Sequence, residues 1–68
     1  MKDDWKKIYS STEDFKIQII KGLLIDNNIN SVVINKKDSG FKFGELELYV
    51  QSDNVVKAKY LINKYNDE

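Results

Sequence analysis

Between Gly44 and Val50 the chain reads Gly-Glu-Leu-Glu-Leu-Tyr-Val, and the alternation is strict. On an extended backbone Leu46, Leu48 and Val50 fall to one side, and Glu45, Glu47 and Tyr49 to the other. A segment patterned this way suits a strand with one dry and one wet face. It therefore calls for a sheet, and for other elements that cover one side of that sheet.

Those elements can be read on either side of it. Trp5 to Ser10 reads as a first strand, with Ile8 on one face and Trp5, Lys7 and Tyr9 on the other. Ser10, Ser11 and Thr12 offer helix N-cap hydroxyls, Ser10 with Glu13 fits a capping box, and Glu13 and Asp14 suit the positive end of the helix dipole. The helix then runs to Asp26, with Phe15, Ile19, Ile20, Leu23 and Leu24 as its apolar stripe and Ile17 at the margin. Gly22, inside it, costs about 1 kcal/mol against alanine and is expected to admit a closely packed neighbour. Asp26-Asn27-Asn28 ends the helix, because asparagine tolerates the left-handed backbone found at helix C-termini. Ile29 returns the chain to the core.

Ser31 to Asn35 is a second strand, with Val32 and Ile34 expected inward and Val33 outward. Lys36 to Phe43 is too long for a two-residue hairpin turn, and Ser39-Gly40 marks its apex. After the third strand, Ser52 or Asp53 caps a second helix, on which Val55, Ala58, Leu61, Ile62 and Tyr65 share a face. Val56 and Tyr60 lie one turn apart, off that stripe.

The order strand, helix, strand, strand, helix predicts an α+β fold. It is a ferredoxin-like plait lacking its last strand, β-α-β-β-α, with two helices on one face of a three-stranded sheet. The strand order is 1-3-2, which makes Gly44–Val50 central. The expected core is Ile8, Phe15, Ile19, Ile20, Leu23, Leu24, Val32, Ile34, Leu46, Leu48, Val50, Val55, Ala58, Leu61 and Ile62. The missing fourth strand leaves Trp5–Ser10 as an open edge, which invites another chain. The uncovered sheet face is expected to carry Trp5, Lys7, Tyr9, Val33, Glu45, Glu47 and Tyr49.

Composition narrows the chemistry. The chain has 68 residues, which is one domain, 1–68, with an ordered part of about 5–65. It has no cysteine and no histidine, which removes thiolate chemistry, the commonest general base and the commonest transition-metal ligand. No catalytic residue, cofactor-binding residue or metal ligand is singled out, and the reading is of a protein that is not an enzyme. The 11 basic residues, all lysine, balance 11 acidic ones. Absence of a basic excess and of arginine runs against nucleic-acid binding, although lysines interleaved with Phe41 and Phe43 keep single-stranded nucleic acid as an alternative. With no apolar run behind Met1 and no stretch of bilayer length, the expectation is a cytoplasmic protein without membrane attachment.

A set of segments also resembles a known family. These are Trp5 near the start, Ile17-Gln18-Ile19-Ile20-Lys21-Gly22-Leu23-Leu24, Asn28-Ile29 before a strand, Gly44 to Val50, and Val56-Lys57-Ala58 in the last helix. Together they are similar to a family of small prokaryotic signal-transducing proteins, a domain of unknown function related in fold to the PII-type nitrogen regulators. Asn28 stands where that family usually has glycine, and Ile17 where a small residue is common. The resemblance implies a PII-like plait, a bacterial cytoplasmic setting and a regulatory binding role. In PII proteins the long loop between the second and third strands contacts partners, and the shorter Lys36 to Phe43 occupies that place here. No nucleotide-binding residue of PII is reproduced, and none is carried over.

The function expected is a small binding or regulatory module that recognises a protein or a small ligand. The alternative is a purely structural oligomerisation unit. The candidate interaction surface comprises Trp5, Tyr9, Val33 and Tyr49 on the sheet, with Lys36, Lys37, Phe41, Lys42 and Phe43 on the loop. A homo-oligomer, dimer or trimer, is the expected assembly.

Overall fold

The central strand is hydrogen-bonded on both of its edges. In a computed structural model that describes residues 4–36 and 44–66, β3 (Leu46–Gln51) pairs antiparallel with β1 (Trp5–Ser11) on one side and with β2 (Ser31–Asn35) on the other. The strand order is β1-β3-β2, as the pattern predicts. Helix α1 (Asp14–Asp26) links β1 to β2. A single 3-10 turn (Ser52–Asn54) leads from β3 into helix α2 (Val55–Asn66). Both helices pack on the sheet and on each other.

Leu46, Leu48 and Val50 of β3 are buried, as their alternation requires, and Leu48 and Val50 are completely so. Ile17, Ile20 and Leu24 of α1, Ala58 and Ile62 of α2, and Ile29 complete the buried cluster. Ile8, Tyr9, Val33, Val55 and Leu61 pack around it, half-buried.

Three parts of this core differ from expectation. On α1 the inward stripe is Ile17, Ile20 and Leu24, while Phe15 and Ile19 are exposed, Phe15 by 59%. At about 100° per residue, the helix is rotated by close to one residue step from the predicted stripe. Ile17, placed at the margin by sequence, is fully buried. On β2, Val33 faces the core opposite Leu48, while Val32 and Ile34 face outward opposite Tyr49 and Glu47. The third difference is on β1. Its register slips between Lys7 and Tyr9, so that Lys7 lies opposite Tyr49 but Tyr9 lies opposite Leu48. Ile8 is the extra residue of a β-bulge, and the bulge reverses the alternation beyond it. Ile8 and Tyr9 therefore both pack against the core, and Tyr9 leaves the face on which alternation alone had placed it.

The turns follow local chemistry. Ser10 lies in β1 opposite Glu47 rather than capping α1. The residue preceding the helix is Glu13, whose N–H donates to the Ser11 hydroxyl at 3.0 Å and whose carbonyl accepts from Lys16 at 3.2 Å. At the far end Asn28 takes the left-handed conformation, φ 62°. The Asn28 N–H donates to the Ile25 carbonyl and the Ile29 N–H to the Leu24 carbonyl, each at 2.9 Å. This is a Schellman motif, and its customary apolar contact is supplied by buried Ile29 and Leu24. Gln51, not Ser52 or Asp53, precedes the turn into α2, without a side-chain cap.

Gly22 does not admit a close neighbour. A Cβ built there meets no atom within 4 Å, which removes the packing reason for glycine. Gly22→Ala is therefore expected to stabilise the fold by about 0.5–1 kcal/mol, through helix propensity and reduced unfolded-chain entropy. Chemical denaturation measures this, and a loss of stability would mean that the site is tighter than it looks.

Candidate functional site: the uncovered face of the sheet

The helices cover one side of the sheet, and the other side carries the candidate site. Its residues alternate with the core residues of the same strands. On β3 they are Glu47 and Tyr49. Strand β1 contributes Trp5 and Lys7, which precede the bulge, and β2 contributes Val32 and Ile34. The Lys36 N–H donates to the Glu45 carbonyl at 3.0 Å. This continues the β2–β3 ladder by one pair and places Lys36 and Glu45 on the same face by alternation.

Trp5, Val32, Ile34, Lys36 and Tyr49 line an open groove of about 420 Å3. Trp5 is 37% exposed, Val32 40% and Ile34 39%. A β-branched residue directly opposite an aromatic one, as Val32 is opposite Tyr49, is a favourable cross-strand pair. It stabilises the sheet and leaves an apolar strip facing solvent.

Beside the strip runs a polar chain. The Tyr49 hydroxyl donates to Glu47 Oε1 at 2.8 Å, and Lys7 Nζ approaches Glu47 Oε2 at 3.4 Å. The i, i+2 spacing on one strand puts Tyr49 and Glu47 on the same face, and the register of β1 brings Lys7 alongside. The Tyr49 hydrogen bond, reinforced by Lys7, holds the Glu47 carboxyl below the usual carboxylate range. The same bond, which the phenol would lose on ionising, raises Tyr49 above the usual phenol value. Glu47 is thus fixed as a carboxylate, the reverse of the raised carboxyl that serves as a general acid at neutral pH.

Of the residues expected on this surface, Trp5, Lys36 and Tyr49 come together. Tyr9 and Val33 do not, because they pack on the core side. Lys37, Phe41, Lys42 and Phe43 lie outside the described residues. Val32 and Ile34, assigned to the core by sequence, take the vacated place. Val56 and Tyr60 are exposed on α2, Val56 by 82%, away from the core stripe. Among the described residues there is no group of three or more histidine, cysteine or acidic side chains placed to hold a metal ion, and no helix long and apolar enough to cross a membrane. Neither models of known protein families, nor curated proteins, nor solved structures give a match to this chain.

The hydrogen bond has a pH signature. Glu47 is lowered, so its contribution to stability is present above its ordinary pKa of 4.5 and is lost as pH falls through the folded value. Tyr49 is raised above 10.0, so its contribution is present below that value and is lost as pH rises through the folded one. In Tyr49→Phe the Glu47 carboxyl is expected to titrate at higher pH than in the parent protein, followed by carboxyl 13C shifts. An unchanged Glu47 midpoint would show that the phenol does not hold the carboxylate.

Proposed function

We propose that this chain is a recognition module that works through the uncovered face of its sheet, binding a partner rather than transforming a substrate. One observation carries the proposal. Three adjacent strands present Trp5, Val32, Ile34 and Tyr49 as a half-exposed apolar strip, beside a carboxylate whose orientation Tyr49 and Lys7 fix. Apolar side chains grouped on one face of so small a domain mark a surface that is covered in use. The low-lying Glu47 carboxyl supports binding over acid–base catalysis, since it suits a permanent counter-charge. The regulatory, signal-transducing part of the proposal rests on the family resemblance, as does a bacterial cytoplasmic setting.

A photo-reactive amino acid tests this. Introduced at position 32, on the proposed surface, it is expected to form an adduct in living cells on irradiation. At position 56, on the exposed side of α2, it is expected to form none. Adducts at 56 with none at 32 would move recognition to the helices and remove the proposal.

A further inference from the structure

If the sheet face is a recognition surface, its shape and charge select what covers it, and the inference drawn here rests on that reading. We infer that the occupant is a second copy of this chain, packed sheet to sheet about a twofold axis.

Shape is the first argument. Sites for small molecules enclose most of the ligand, roughly 70–90% of its surface. Here all five groove-lining residues lie on the sheet or one residue past its end, and the described residues supply no facing wall. The natural complement of one sheet face is another, about 10 Å away, with interdigitating side chains. The protein measures 15 Å along its shortest axis against 36 and 35 Å along the others, a slab with one broad face covered by helices and one uncovered. A stable interface takes about 800 Å2 from each partner. That is a modest share of the 4895 Å2 surface, within the reach of one broad face.

Charge is the second argument. A twofold axis sets a patch against itself, so the patch must be self-complementary. Among the described residues of this face Lys7 and Lys36 stand against Glu45 and Glu47, so their charges sum to zero, as do those of the whole chain, with 11 of each sign. A single-signed face would repel its own copy; this one carries both signs. Glu47 is already paired with Lys7, while no carboxylate among the described residues lies within ion-pair distance of Lys36. Burial of Trp5, Val32 and Ile34 against their copies would also enlarge a core that a 68-residue chain can barely fill on its own.

The test is a charge exchange. Light scattering over a concentration series is expected to give the unmodified protein twice the 8.0 kDa chain mass. Lys36→Glu makes the face net negative and Glu45→Lys makes it net positive. Each alone should weaken self-association by about tenfold or more, as like charges across an interface do. An equimolar mixture of the two should recover the dimer as a heterodimer, while Val56→Lys should leave self-association unchanged. In the unmodified protein, isotope-filtered NMR should give intermolecular contacts from the Val32 and Ile34 methyls to Trp5 or Tyr49 rings, a readout that does not depend on either variant folding. Monomer mass throughout, a dimer whose intermolecular contacts come from the helices, or a mixture no tighter than the separate variants would overturn the inference. The mass of the adduct at position 32 separates this from the broader reading. Twice the chain mass supports the second copy. Any other mass keeps the recognition surface but removes the self-partner, and the absence of an adduct removes both.

Discussion

The antiparallel pairing of β3 on both edges is the constraint from which the rest follows. It fixes which residues of the flanking strands share a face with Leu46, Leu48 and Val50, and so which ones go under the helices. A one-residue change of register on either side would exchange core and surface across the whole strand. The β1 bulge is such a change, introduced at Ile8 and carried through the pairs of Tyr9, Ser10 and Ser11. It brings Ile8 and Tyr9 to the core together and leaves Trp5 and Lys7 on the open face. The core thereby gains an aromatic flank and the surface keeps another.

The two faces of β3 divide the work. The dry face, with Ile17, Ile20, Leu24, Ile29, Ala58 and Ile62, holds the fold together. The wet face places a phenol, a carboxylate and an ammonium in one hydrogen-bonded line beside an apolar strip. An exposed ion pair of this kind contributes little to stability, so its main physical consequence is to fix where the charge sits. The helices pack on the opposite side of the sheet and do not impose that order, so it comes from the register of the strands themselves.

Much of this was legible in the sequence. Element order, strand order and the dry side of β3 follow from alternation and from the separations between apolar runs. The left-handed Asn28 follows from the preference of asparagine at helix ends. What was not legible depends on partners distant in sequence. Val32, Val33 and Ile34 are all apolar, and the alternation set by polar Ser31 and Asn35 points Val33 outward; the register against β3 decides instead that Val33 turns inward. Ile29, which is buried and shares parity with Val33, is the one local sign of this. Polar Ser31 gives the opposite sign, yet its hydroxyl is buried, with no hydrogen-bond partner among the described residues. The bulge in β1 has no glycine to announce it, so Tyr9 could not be placed from Trp5 and Lys7. On α1, six large apolar residues between Phe15 and Leu24 admit more than one stripe, and contact with the sheet selects Ile17, Ile20 and Leu24. The candidate site was therefore half visible: Trp5, Lys36 and Tyr49 were assigned to it from sequence, whereas Val32 and Ile34 needed the register.

That register is open to direct measurement by nuclear Overhauser contacts within β2. The account predicts contacts from the Val33 methyls to the Leu48 methyls and the buried cluster, and from the Val32 methyls to the Tyr49 ring. Contacts from Val32 into the buried cluster, with Val33 against the Tyr49 ring, would contradict it. They would mean that β2 pairs with β3 one residue out of step, and that Val32 and Ile34 are not part of the open face.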